Sequence, residues 1–169
     1  MITTKPHFNR FLIILFSCFF FSLSITEANA KTLDDLQNFK EDSVSIKLDS
    51  NESIEFKILI AESNKDRRQG LMHIEFMEEN QGMLFVFNPP RKVSMWMRNT
   101  PMTLDILFID KDGKIINIEQ NTTPYSTKAL SSGGSIQWVL EINGGLSEKM
   151  GIKTGDLLLL GSTKGLYEE

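Results

Sequence analysis

The stretch Val44-Ser45-Ile46-Lys47-Leu48-Asp49-Ser50-Asn51-Glu52-Ser53-Ile54-Glu55-Phe56-Lys57-Ile58-Leu59-Ile60 decides the fold class. Val44, Ile46 and Leu48 alternate with polar residues, and the alternation resumes through Ile54, Phe56, Ile58 and Ile60. Successive side chains of a strand point to opposite faces, so this period of two makes two half-buried strands. Asp49-Ser50-Asn51 supplies the polar turn between them, and the pair reads as a β-hairpin.

Further strands are expected downstream at Met83–Phe87, Lys92–Met97, Leu104–Asp110, Lys114–Gln120, Ile136–Ile142 and Leu157–Gly161. Asn88-Pro89-Pro90, Asp110-Lys111-Asp112-Gly113 and Ser131-Ser132-Gly133-Gly134 provide the breaks. Ser63-Asn64-Lys65-Asp66 has the chemistry of a helix start, with a capping hydroxyl and an acid in the first turn. Gly70 stops that helix after about two turns. A second short helix runs from about Leu146 to Met150 and closes at Gly151. About eight short strands with two small helices predict a mainly β protein, α+β at the margin, whose sheet is a compact, closed or nearly closed barrel.

Upstream of the hairpin, Lys31 to Ser43 is polar and weakly patterned and reads as a mobile arm, with Leu33, Leu36 and Phe39 able to form one face of a short helix. The first thirty residues have the three blocks of an export signal. Lys5 and Arg10 make a positive start, Phe11 to Leu23 is uncharged, and Ala28-Asn29-Ala30 presents the small-x-small pattern of a cleavage site. The apolar run falls short of the roughly 20 residues of a spanning helix, which argues against a retained anchor. Leu15-Phe16-Ser17-Cys18 is a poor lipid-attachment pattern, because Phe16 is too large and the apolar run continues beyond Cys18. The expected organisation is a cleavable signal over 1–30, the arm over 31–43 and one β-rich domain over 44–169, periplasmic or secreted.

Cleavage after Ala30 removes Cys18, the only cysteine, and His7, one of two histidines. The mature chain has no disulfide and must be held by its hydrophobic core. Its single imidazole, His73, has neither a cysteine nor a second histidine to complete a zinc site. Seven methionines remain (Met72, Met77, Met83, Met95, Met97, Met102 and Met150), but Met95-x-Met97 is ordinary strand alternation and thioethers fill core gaps, so no copper site, metal or cofactor is expected. The formal charge is −4, and cleavage makes it one unit more negative by removing Lys5, Arg10 and Glu27. An acidic chain lacks the cationic surface that nucleic acid or anionic lipid requires, so neither is an expected partner.

Six ordered motifs then point to a family. They are Arg68-Gln69-Gly70-Leu71-Met72, Gly82-Met83-Leu84-Phe85-Val86-Phe87, Trp96-Met97-Arg98-Asn99-Thr100, Leu104-Asp105-Ile106-Leu107-Phe108-Ile109-Asp110, Val139-Leu140-Glu141-Ile142-Asn143-Gly144-Gly145 and Gly151-Ile152-Lys153-Thr154-Gly155-Asp156. Together, from about Ser53 to Gly161, they resemble the bacterial and archaeal family called domain of unknown function 192. The resemblance implies a small, single, β-rich domain, often exported, and brings no reaction and no catalytic residues with it.

Candidate sites therefore rest on the residues themselves. Asp105 interrupts the apolar run Leu104–Ile109, where a carboxylate is costly unless paired or hydrogen-bonded. It reads either as a structural carboxylate tying loop N–H groups to the barrel or as an acid/base or ligand anchor, with Arg68, Arg98, Asn99 and Thr100 as possible partners. Glu141 is a parallel case among Val139, Leu140 and Ile142. Trp96 reads either as an aromatic platform for a small polar ligand, with Arg98, Asn99 and Thr100 beside it, or as a core tryptophan. Two function classes follow. One is a monomeric binding or accessory domain for a small polar ligand or an envelope protein. The other is a hydrolase or lyase of envelope carbohydrate using Asp105 and Glu141, which requires the two carboxylates to share a cleft.

Overall fold

A computed structural model describes residues 30–161, and apart from Ala30 the expected export signal lies outside the described residues. The hairpin forms as the alternation demands. Strand β1 (Lys40–Lys47) pairs antiparallel with β2 (Ser53–Ala61), with Val44 opposite Phe56 and Ile46 opposite Ile54. The turn is closed by Leu48 N–H donating to Glu52 O (2.8 Å) and Asn51 N–H to Leu48 O (2.9 Å). Asn51 holds φ 70°, a left-handed conformation that asparagine tolerates better than most residues.

From β2 the chain crosses over through helix α1 (Asn64–Gln69) into β3 (Gln81–Arg91), which runs parallel to β2. The capping box predicted for α1 is present: Ser63 Oγ accepts from Asp66 N–H (3.1 Å) and Asp66 Oδ2 accepts from Ser63 N–H (3.1 Å). The remaining strands are β4 (Ser94–Met95), β5 (Leu104–Ile109), β6 (Ile115–Glu119), β7 (Leu130–Ser131), β8 (Ile136–Asn143) and β9 (Leu157–Leu160), with helix α2 (Leu146–Lys149) before the last. Seven strands form one sheet in the order β6-β5-β8-β3-β2-β1-β9, and β4 pairs with β7 as a separate two-stranded piece. The two edges of the large sheet meet where Lys114 bridges Leu157, Ile115 N–H donating to Asp156 O (2.9 Å) and Leu158 N–H to Gly113 O (2.7 Å). The protein is mainly β, a curled, barrel-like sheet.

Curling gives the sheet two apolar faces. One core receives side chains from every strand of the large sheet, among them Ile46, Phe56, Leu84, Leu107, Ile115, Leu140 and Leu158, and therefore fills the concave side. The second core lies on the outer face of β2, β3, β5 and β8, where Met83, Phe85, Ile106, Phe108 and Val139 are covered by the segments that connect the strands. This explains why β3, β5 and β8 read as near-continuous apolar runs: both of their faces are buried.

Three expectations need correction. Lys31–Ser43 is not a loose arm: β1 already begins at Lys40, and a single 3-10 turn at Leu33–Asp35 buries Leu33 in the outer core. Asn88-Pro89-Pro90 does not end its strand. Prolines cannot donate to a ladder, so they are accommodated in an irregularity between the pairs Val86–Trp138 and Arg91–Ile136. The strand expected over Lys92–Met97 contracts to Ser94–Met95, because its only ladder partner is the two-residue β7.

Asp105 belongs to this framework. Its Oδ1 accepts from the N–H groups of Asn121 (2.8 Å) and Gly145 (2.9 Å), and its Oδ2 from Ser147 N–H (2.8 Å) and Ser147 Oγ–H (2.6 Å). Four donors from two connections converge on one buried carboxylate and tie the β6 exit and the start of α2 to β5. Asp105→Asn, whose amide nitrogen would face donors, is expected to lower stability by about 3 kcal/mol, read as a drop in thermal midpoint with no dependence on added ligand. A midpoint within a degree or two of the parent would contradict this role.

Candidate functional site

Glu141 lies on β8 between two apolar cross-strand neighbours, Met83 of β3 and Ile106 of β5. Only 4% of its surface is exposed, yet among the described residues its carboxylate accepts no hydrogen bond and makes no ion pair. Burial with no compensating charge pushes its pKa up to about 8. The carboxylate lines a cavity of about 360 Å³ on the outer face of the sheet.

Two segments build the opposite walls. Helix α1 ends at Gly70, whose φ of 45° is strained for other residues and whose missing Cβ would stand 3.2 Å from the Phe85 ring. This close approach seats Arg67, Arg68 and Met72 beside β3 at the cavity. The second wall is the segment around β4, which contributes Met95, Trp96, Arg98 and Thr100. Trp96 is 49% exposed, so it is a lip of the cavity and not a core residue. The Arg98 guanidinium lies 4.9 Å over its ring, a cation–π arrangement.

The arginines are distributed unevenly. All four in the described residues gather here: Arg67, Arg68 and Arg98 line the cavity, and Arg91 stacks 5.1 Å over Phe87, itself a lining residue. Arg67 also stacks on Phe87 (5.3 Å) and is anchored by donating to Val86 O (2.7 Å), Asn64 Oδ1 (2.6 Å) and Glu62 O. None of the four pairs with a carboxylate; the three salt bridges among the described residues all use lysine.

Of the residues picked out from sequence, Arg68, Trp96, Arg98, Thr100 and Glu141 meet at this cavity, and Asn99 and Asp105 do not. Asn99, at φ 57°, accepts His73 N–H on its carbonyl (2.8 Å) and points Nδ2 at Met72 Sδ (3.8 Å), bracing the wall from outside. Asp105 pairs opposite Ile142, one position out of phase with Glu141 opposite Ile106. Directly paired residues share a face and successive residues alternate, so Asp105 and Glu141 lie on opposite sides of the sheet. The two carboxylates share no cleft, and an acid/base pair formed from them is ruled out. Arg67, Phe85 and Phe87 were missed, because Phe85 and Phe87 are indistinguishable from core positions in sequence. Met95 lines the cavity, whereas Met97 is buried and accepts the Thr122 hydroxyl on its Sδ (3.2 Å), so these thioethers do not converge.

The family model DUF192, described as "Uncharacterized ACR", matches residues 45–160. Two solved structures are similar over nearly their whole length. One, from Novosphingobium aromaticivorans and of unknown function, is 35% identical, with a TM-score of 0.71, covering 78% of this chain and 94% of its own. The other, from Sinorhizobium meliloti and provisionally described as a transcription regulator, is 36% identical, with a TM-score of 0.70, covering 71% and 93%. Among curated proteins none matches this chain.

A raised carboxylate pKa makes stability fall with pH. The folded state holds a proton on Glu141 that the unfolded chain has lost, so stability declines by roughly 1 kcal/mol per pH unit between the ordinary value of 4.5 and the folded value of about 8. Glu141→Gln removes this dependence. Chemical denaturation is expected to show the variant gaining on the parent by a few kcal/mol between about pH 5 and pH 8. A pH-independent difference would mean that the carboxylate is solvated or paired.

Proposed function

This chain belongs to the DUF192 family, and we propose that it is an exported, monomeric binding domain that holds a small anionic ligand in the cavity between β3, β8, α1 and the Trp96–Thr100 segment. The observation that carries this reading is the set of arginines: three line one concave site and, among the described residues, none forms an ion pair with a carboxylate. A guanidinium offers several N–H donors in a planar fork suited to carboxylate or phosphate, and its charge is present at any physiological pH. Phe85, Phe87 and Trp96 add apolar walls, the usual composition of a small-molecule site.

Export is supported by the residues that precede the domain: Lys5 and Arg10, the uncharged Phe11–Leu23 run, and Ala28-Asn29-Ala30. A role on nucleic acid, as the description of the Sinorhizobium protein would suggest, calls for an extended cationic surface. This chain is acidic overall, and the arginines of the described residues gather at a single cavity.

A thermal-shift screen over neutral sugars, small carboxylates and phosphates tests the reading. Compounds that raise the midpoint are expected to carry an anionic group, and Arg98→Ala or Arg68→Ala to weaken their binding about tenfold or more. Stabilisation by neutral sugars alone, or anion binding that survives replacement of both arginines, would overturn it.

A further inference from the structure

We infer, building on that reading of the cavity, that the ligand is a zwitterion: its anionic group meets Arg68 and Arg98 and its ammonium group meets Glu141, as in an α-amino acid with an apolar or aromatic side chain. Among the described residues, Glu141 is the only carboxylate that lines the cavity. Met83 and Ile106, its cross-strand neighbours, offer it no donor, and no arginine nitrogen lies within the 4.0 Å of an ion pair. The site therefore presents an acidic group and basic groups that leave each other unsatisfied.

A position that needed only packing would carry valine or leucine, as Val139 and Leu140 do beside it. An unpartnered buried carboxylate costs several kcal/mol, and a ligand that supplies the missing partner recovers that cost on binding. A purely anionic ligand satisfies the arginines and leaves Glu141 unpaired. A purely cationic one faces the uncompensated charges of Arg67, Arg68 and Arg98. Only a molecule with both charges completes both ends, and Met72, Met95 and the aromatic walls accept its apolar remainder. The volume of about 360 Å³ limits it to a small molecule.

The ammonium group binds the ionised form of Glu141, so capture of the ligand at neutral pH releases a proton. Glu141, whose carboxyl burial pushes up to about 8, is the lining group whose ionisation the ligand changes, and the charged side chains that face it across the cavity are Arg67, Arg68 and Arg98.

Calorimetric titration of the purified protein with L- and D-phenylalanine, 3-phenylpropionate (lacking the amine) and 2-phenylethylamine (lacking the carboxylate) tests the inference. Phenylalanine of at least one hand is expected to bind about tenfold or more tighter than either analogue. Its affinity is expected to rise by up to about tenfold per pH unit between about pH 6 and pH 7.5. In Glu141→Gln its advantage over 3-phenylpropionate is expected to collapse to a ratio of about one. Equal binding of phenylalanine and 3-phenylpropionate by the parent, or an affinity that falls as pH rises, would overturn the zwitterion while leaving the anion site standing. No binding of any of the four would overturn both.

Discussion

The pairing of β8 with β3 on one side and β5 on the other is the constraint on which the rest of the structure depends. β8 sits in the interior of the seven-stranded sheet, and its residues from Ile136 to Ile142 are buried. Its register with β5 sends Leu140 and Ile142 into the concave core and Val139 and Glu141 to the outer face. On the β3 side, Gly82 permits the approach, since a Cβ there would stand 2.8 Å from the Glu141 carbonyl oxygen. A one-residue slip in either ladder would send Glu141 into the barrel and Leu140 into the cavity, so the register that makes the core also makes the site.

The two buried acids show how alike residues acquire different roles from the same ladder. Asp105 reaches two connections whose N–H groups have no strand partner, and it satisfies four donors there. Glu141 reaches a cavity lined by arginines as well as by aromatic and thioether side chains, yet among the described residues none donates to its carboxylate. The first is a structural tie. The second lowers the stability of the free protein at neutral pH, a burden that folds carry at binding sites more readily than in cores.

Much of the fold was legible because period two survives wherever one face of a strand differs from the other. Val44–Ile60 announced the hairpin, and Ser63, Asp66 and Gly70 announced the ends of α1. Where both faces are buried the alternation vanishes, and so β3, β5 and β8 could be found but not oriented. For the same reason Asp105 and Glu141 stood out as polar residues in apolar runs, while their placement on opposite faces depended on strand pairing that no local pattern encodes. Arg68, Trp96, Arg98 and Thr100 were visible through their chemistry. Arg67, Phe85 and Phe87 were not, because a crossover helix and a buried strand meet at the cavity only in the folded chain. Asn88-Pro89-Pro90 misled for a different reason: proline forbids a ladder bond, yet a local irregularity lets the strand pass it without ending.

The central claim is that Glu141 is a buried carboxylate left without a partner among the described residues. Carboxyl-carbon NMR of glutamate-labelled protein, with the Glu141 resonance assigned by its loss in Glu141→Gln, measures its titration directly. A midpoint near 8 in the ligand-free protein is the expected result. A midpoint near the ordinary value of 4.5 would show the group to be solvated or paired and would contradict the claim.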